Sequence, residues 1–225
     1  MAGLGFLMRR FHWVSMGEAE SPEVELTFYN GIQSDGKGYI IIPNFTFKRD
    51  DTIILYYSGY NVSQMQLAFG ARGSEKGVFY AIENNDFCFF GEFSTAGTRI
   101  QSQNISGFNQ PNITFKTDVG YSEFAGGVRR RFFINDIGQF SSMPGDVTET
   151  ITNDLYILTS NVVGSKEADS RFFKGVIHSF SVIASDGVEK LILRPCLRNG
   201  IVGMYDSVSK SFFENSGSGL LTLLN

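Results

Sequence analysis

The side chains able to do chemistry are few in this sequence and poorly spaced for it. His12, His178, Cys88 and Cys196 are the only imidazoles and thiols, and no group of them stands at the separations of a tetrahedral zinc site. No Gly-x-Ser-x-Gly elbow and no Gly-x-x-x-x-Gly-Lys-Ser/Thr phosphate loop occurs. In the run FFKGVIHSFSVIASDG, period two puts His178 on one face with Val176, Phe180 and Val182. It therefore reads as a hydrogen-bonded core histidine. The cysteines belong to no closely spaced framework and read as two buried thiols, with a Cys88–Cys196 pairing as the less favoured alternative.

Recognition of a sugar needs flat aromatic faces ringed by amides and carboxylates. Tyr56, Tyr57, Tyr60 and Asn61 are the group best placed to supply one, at a strand end that runs into a loop. No Trp follows Trp13 to strengthen it. Arg129-Arg130-Arg131 is the densest basic run. Alternation splits it between two faces, so it is expected on an exposed edge strand, where charge resists unwanted pairing. Contact with an acidic partner or glycan is the second reading. Sequons at Asn44, Asn61, Asn104 and Asn112 are expected by chance in a chain rich in Asn, Ser and Thr, and are discounted.

The elements that would position these residues are strands. The 225 residues hold 22 Phe, 9 Tyr and 25 Gly, a mixture suited to half-buried pleated surfaces joined by turns. VELTFY, YIIIPNF, DTIILYY, MQLAFGAR, GVFYAIE and FCFFGEF alternate with turn signals at a spacing typical of sandwiches and barrels. NITFKTD, VRRRFFINDIGQF and DLYILTSN continue the pattern, with Asn135-Asp136 as a hairpin turn and VVGSKEADS as a loop. A net charge of −4 argues against general nucleic-acid affinity. No apolar run approaches the roughly 18 residues of a membrane helix. The apolar stretch Leu4–Met8 is too short for a signal-peptide core, and its arginines follow it. Neither membrane spanning nor secretion by that route is expected.

Residues 1–22 differ from the rest and read as an arm, and residues 23–225 as one sandwich domain. Phe6, Leu7, Phe11 and Trp13 give the arm apolar area that a partner could bury, with Arg9 and Arg10 to meet acidic groups. A disordered tail is the plainer reading.

The run NDLYILTSN, then FFKGVIHSFSVIASDGVEKLILRPCLRNGIVGMYDSVSKSFFENSGSG, resembles the C-terminal half of concanavalin A-like, laminin G-like (LamG) domains. Such domains occur in bacteriophage, prophage and gut-bacterial surface proteins. YNGIQSDGKGYIIIPN resembles the opening of the same family. The resemblance implies an all-β fold, an antiparallel two-sheet jelly-roll sandwich over residues 23–225, to which residues 1–22 add an N-terminal extended arm. In that fold Gly203–Asp206 and Ser211–Phe213 should pair around SVSK, with Asp206 bonding turn amides. The glycines of NSGSG should take positive φ, and the last strand should return beside the first as a clasp.

The family also implies a setting. The expectation is a non-enzymatic, lectin-like virion protein, a phage capsid decoration or tail-associated component. Its arm would hold a virion structural protein and its sandwich would contact cell-surface or mucus glycans. A bacterial cell surface is the alternative location, a glycan-active hydrolase or a packing module the alternative role, and oligomerisation is left open. Hydrolases of this fold carry Glu-x-Asp-x-Glu along one strand, and Glu23-Val24-Glu25 is one carboxylate short of it. No cofactor is expected. Calcium, which relatives often bind at the sandwich rim, would have only Arg49–Asp51 and Glu83–Asp86 as local clusters, and these read as solvated turns.

Overall fold

The computed structural model describes residues 25–59, 64–74, 76–84, 87–92, 99–101, 112–121, 128–141 and 148–225. These residues form strands and turns, with no helix among them. The first half supplies β1 (Leu26–Phe28), β2 (Gly31–Ser34), β3 (Ile40–Lys48), β4 (Thr52–Ser58), β5 (Gln66–Arg72), β6 (Gly77–Asn84), β7 (Phe87–Glu92) and β8 (Arg99–Gln101). Next come β9 (Ile113–Tyr121), β10 (Val128–Ile134), β11 (Ile137–Ser141) and β12 (Thr150–Ile157). The chain ends with β13 (Val176–Ile183), β14 (Glu189–Arg198), β15 (Ile201–Asp206), β16 (Ser211–Glu214) and β17 (Leu221–Leu224).

The larger sheet runs β11-β10-β9-β4-β13-β14-β15-β16, with β1 beside β14, and β2 bridging β13 and β17. The smaller sheet runs β3-β12-β5-β6-β7-β8. Neighbouring strands pair antiparallel, and the two sheets close on each other as a jelly-roll sandwich.

Period two builds the core. On β4, Ile53, Leu55 and Tyr57 are fully buried while Ile54, Tyr56 and Ser58 on the other face are half-exposed. The middle of the sandwich is aromatic. Phe115 of the larger sheet stacks on Tyr80 of the smaller at 4.1 Å between ring centroids, and also meets Phe69, Phe90 and Phe132 within 6.0 Å. Tyr57 and Tyr80 share a buried hydroxyl–hydroxyl hydrogen bond of 2.8 Å across the same gap, so both phenols enter the core with a partner.

The clasp forms as the sequence suggests. Gly203 pairs with Glu214, Tyr205 with Phe212 and Asp206 with Ser211. Asp206, 2% exposed, accepts from the Ile192, Val208 and Ser209 amides and from the Ser209 hydroxyl. The last strand returns to β2 and not to β1, with Leu221 opposite Ser34. The glycines of NSGSG serve a purpose other than positive φ. Left-handed backbone falls on Lys210 (φ 59°), whereas a Cβ on Gly217 would stand 2.1 Å from the Lys37 carbonyl oxygen. Close approach of two chain segments requires the glycine there. Asn135 and Asp136 form the expected hairpin turn with φ 48° and 64°, and Cys88 and Cys196 are buried without a disulfide.

Two expectations are corrected. β10 lies between β9 and β11, so its arginine run is not on an edge strand at Arg131, while Arg129 and Arg130 pair with β9 alone among the described residues. Arg131 is exposed and rests over the Phe133 ring at 5.5 Å. On β13 the pairing with β4 slips between Ile177 and Ser179. This bulge reverses the alternation, so Ile177 and Phe180 both enter the core while Val176 and His178 stay on the outer face, half-exposed.

Candidate functional site

The most elaborate polar structure lies on the outer face of the smaller sheet. Residues 158–173 leave β12, double back, and rest against β5, which is why every β5 residue is buried. The two limbs pair through Leu158 with Phe173 and Ser160 with Asp169, and the Leu67 amide donates to the Arg171 carbonyl. Leu158 begins the reversal at φ 72° and is fully buried. Its amide donates to the Ala68 carbonyl and its carbonyl accepts from the Phe173 amide. These bonds hold a conformation that branched side chains disfavour.

A buried charge network fastens this segment. Arg72, at the end of β5, donates from Nε to Ser160 Oγ (2.9 Å) and from Nη2 to Asp169 Oδ2 (2.7 Å), and also holds the Asn161 carbonyl. Asn161 answers with its carboxamide, accepting from the Arg72 amide at 2.7 Å and donating to the Arg72 carbonyl. Its side chain thus continues the ladder of β5. Arg171 grips the same Asp169 with Nε and Nη2 (2.8 and 2.5 Å). Burial by itself would raise the Asp169 carboxyl, but hydrogen bonds from Arg171 and Arg72 outweigh it and hold the group well below the usual carboxylate range.

Two clefts flank the fastened segment. One, of about 340 Å³, lies beside β12 and gathers Asn153, Asp154, Tyr156, Ser74, Asn44 and Lys166. Asp154 accepts from the Asn44 amide, and Tyr156 donates to the Lys166 carbonyl at 2.6 Å. Burial, with Asp154 and Tyr39 nearby, pushes the Tyr156 phenol up to about 12, so it stays a donor. The other cleft, of about 300 Å³, is lined by Gln64, Met65, Ser170, Arg171, Phe172 and Lys174, among others. An aromatic stripe joins them. Tyr39, half-exposed, stacks on Tyr156 at 5.8 Å and meets Phe172 in a tilted contact at 6.1 Å. The ring contacts thus run from one cleft to the other, with amides and an ammonium group lining each cleft and the Asp154 carboxylate at the first.

The predicted aromatic platform does not assemble as a unit. Tyr57 is fully buried in the core and offers no ring to a ligand, because alternation sends it inward from Tyr56. Tyr56 lies on the outer face of the larger sheet, stacked on His178 at 4.7 Å. Tyr60 and Asn61 lie outside the described residues, as do the arm residues Phe6, Leu7, Arg9, Arg10, Phe11 and Trp13, and Glu23 of the carboxylate pair. His178 is hydrogen-bonded, though not in the core. Its Nδ1 donates to the Asn30 carbonyl and its Nε2 meets Ser58 Oγ at 2.7 Å, tying β13 to β2 and β4.

The Arg49–Asp51 cluster bonds to other groups of the protein. Asp50 bonds Lys48 and Ser185, Asp51 bonds the Lys48 amide and Lys190, and Arg49 pairs with Glu149. Among the described residues no three His, Cys, Asp or Glu converge to hold a metal.

Sequence reasoning missed Tyr39, Asn153, Asp154, Arg171, Phe172 and Lys174. The available signal was the run Arg171-Phe172-Phe173-Lys174, two cations around an aromatic pair at the end of a loop.

No protein-family model matches the sequence, and no curated protein does. Solved structures do share its architecture. A native heptameric SAP-like pentraxin from Limulus polyphemus superposes with a TM-score of 0.52 at 8% identity, over 90% of this chain and 95% of that one. The CBM40 of the Ruminococcus gnavus IT-sialidase bound to alpha2,3 sialyllactose gives a TM-score of 0.45 at 10% identity, over 68% of this chain and 91% of that one. The same CBM40 in another structure gives 0.44 at 12% identity, over 65% and 89%. What the chain shares with the pentraxin is the fold, an antiparallel jelly-roll sandwich.

Proposed function

We propose that this is a glycan-binding protein whose ligand lies along the groove from Asn153 and Asp154, past Tyr39, to Phe172. One observation carries the reading. Tyr39 and Phe172 form a partly exposed aromatic floor, and the polar groups at its ends have bonding capacity left over. The Asn153 carboxamide, the Gln64 carboxamide and the Lys174 ammonium each line a cleft and meet no protein partner among the described residues. Sugars are held by this combination, with apolar ring faces stacked on aromatics and hydroxyls bonded by amides and carboxylates.

Isothermal titration of the protein against a panel of neutral and acidic oligosaccharides tests it. At least one should bind, and Tyr39→Ala and Phe172→Ala should each weaken that binding by at least about tenfold, as loss of a central aromatic anchor does. Each variant is checked for an unchanged fold by circular dichroism. No binding across the panel, or variants that bind like the parent, contradicts the reading.

The setting we propose is the surface of a phage particle, on the strength of the laminin G-like sequence resemblance and the composition of residues 1–22. There Phe6, Leu7, Phe11 and Trp13, with Arg9 and Arg10, dock to a virion structural protein. Deleting residues 1–17 should abolish particle association while leaving the melting temperature of the sandwich unchanged. Retained association sinks the docking role.

A further inference from the structure

The cleft beside Phe172 is charged as well as aromatic, and its charge is one-sided. Arg171 and Lys174 line it and, among the described residues, no carboxylate does, in a chain whose net charge is −4. Asp169 stands behind it, shared between Arg72 and Arg171. Asp35, next to the rim at Gly36, spends its carboxylate on the Lys37 and Leu220 amides.

Arg171 is held and yet not exhausted. Of the five N–H bonds of a guanidinium, Nε and Nη2 each give one to Asp169 and Nη1 gives one to Met65 Sδ at 3.2 Å. One N–H remains on each terminal nitrogen, and the side chain is 39% exposed. The Asp169 brace fixes the guanidinium plane, so little side-chain entropy is lost when those two donors meet a ligand. A planar pair of donors suits a carboxylate, which accepts two-pronged. The Lys174 ammonium, exposed and unpaired among the described residues, adds a mobile charge on the same rim.

We propose that this cleft takes the carboxylate of an acidic sugar unit within a glycan chain, with the charge on Arg171 and Lys174 and the sugar ring against Phe172. The inference rests on the glycan reading of the groove and narrows it to uronate-type units. A neutral sugar would leave the Lys174 ammonium and the two remaining Arg171 N–H groups without a charged acceptor.

The test is titration calorimetry with the whole protein and oligosaccharides of hyaluronan, alginate and polygalacturonate. Each is paired with its carboxyl-reduced counterpart, and a neutral oligosaccharide and a sulfated galactan of equal length complete the set. At least one uronate should bind, and reduction of its carboxyls should weaken binding by at least about tenfold, the loss of a charge-assisted hydrogen bond. Lys174→Ala, whose ammonium supports nothing else, should weaken the same uronate about threefold and flatten its salt dependence. Arg171→Gln should weaken it further.

Native and carboxyl-reduced forms bound within twofold of each other overturn the proposal, as does a preference for the sulfated galactan over every uronate. Binding of neutral oligosaccharides that Tyr39→Ala abolishes, without preference for acids, leaves the glycan reading standing and removes this one. Failure of every oligosaccharide to bind removes both.

Discussion

Asp169→Ala is expected to lower the melting temperature by roughly 10 °C and to abolish ligand binding at the groove. The carboxylate faces Arg72 and Arg171 at 2.7 and 2.5 Å, and its own side chain is 10% exposed. Removing it leaves the Arg72 guanidinium buried without its carboxylate. Breaking a buried pair from one side costs about 3–5 kcal/mol, and each kcal/mol is worth about 2–4 °C in a domain of this size. The binding loss follows because Asp169 fastens the segment that carries Arg171 and Phe172. Arg72→Ala should be milder, since Asp169 keeps Arg171.

Acid should imitate the substitution. Hydrogen bonds hold the folded Asp169 carboxyl below its unfolded value despite burial, and the Asp206 carboxyl is held down in the same manner by Ser209 and the Ile192 and Val208 amides. A depressed carboxyl contributes stability that is complete above the unfolded value, about 4, and is lost as pH falls below it. Denaturant midpoints should therefore be level from pH 7 to about pH 5 and fall below that. In Asp169→Ala the acid-side fall should be shallower. A fall of equal steepness in the two proteins removes Asp169 from the account.

Phe115→Ala should destabilise the fold by about 3–5 kcal/mol, the range for truncating a buried phenylalanine. It stands where the two sheets meet, against Tyr80, Phe69, Phe90 and Phe132. Aromatic pairs add about 0.5–1.5 kcal/mol each beyond the area they bury. The void would also open beside the Tyr57–Tyr80 hydroxyl pair. Urea unfolding of parent and variant measures it, and a difference under about 1 kcal/mol would mean that the ring cluster is not what joins the sheets.

Strand periodicity and turn chemistry were legible because they are local. Alternation along DTIILYY fixes which side chains face inward, and Asn135-Asp136 announces a turn that needs positive φ twice. The same alternation separates Tyr56 from Tyr57, so grouping them as one platform ran against a rule the sequence already contained. The β13 bulge at His178 was not legible, because it depends on tertiary pairing: β4 runs along the whole strand, while β2 takes Val176 and Ile177 and β14 takes Phe180–Ile183. Nor was the groove. Pairing of β3 with β12 sets Tyr39 against Tyr156, but Phe172 reaches Tyr39 on the segment 158–173 that Arg72 and Asp169 fasten over β5. Gly217 shows the limit in miniature. Its presence in a turn is readable, but its reason, the Lys37 carbonyl at the place of a side chain, belongs to tertiary contact.

Amide hydrogen exchange, with and without the tightest-binding oligosaccharide of the panel, tests the groove most directly. Slowed exchange is predicted at residues 64–66, 153–156 and 170–174 and around Tyr39, with the outer face of the larger sheet unchanged. Protection centred instead on β4 and β13, near Tyr56 and His178, or spread evenly over the sandwich, would contradict the assignment of the ligand to this face.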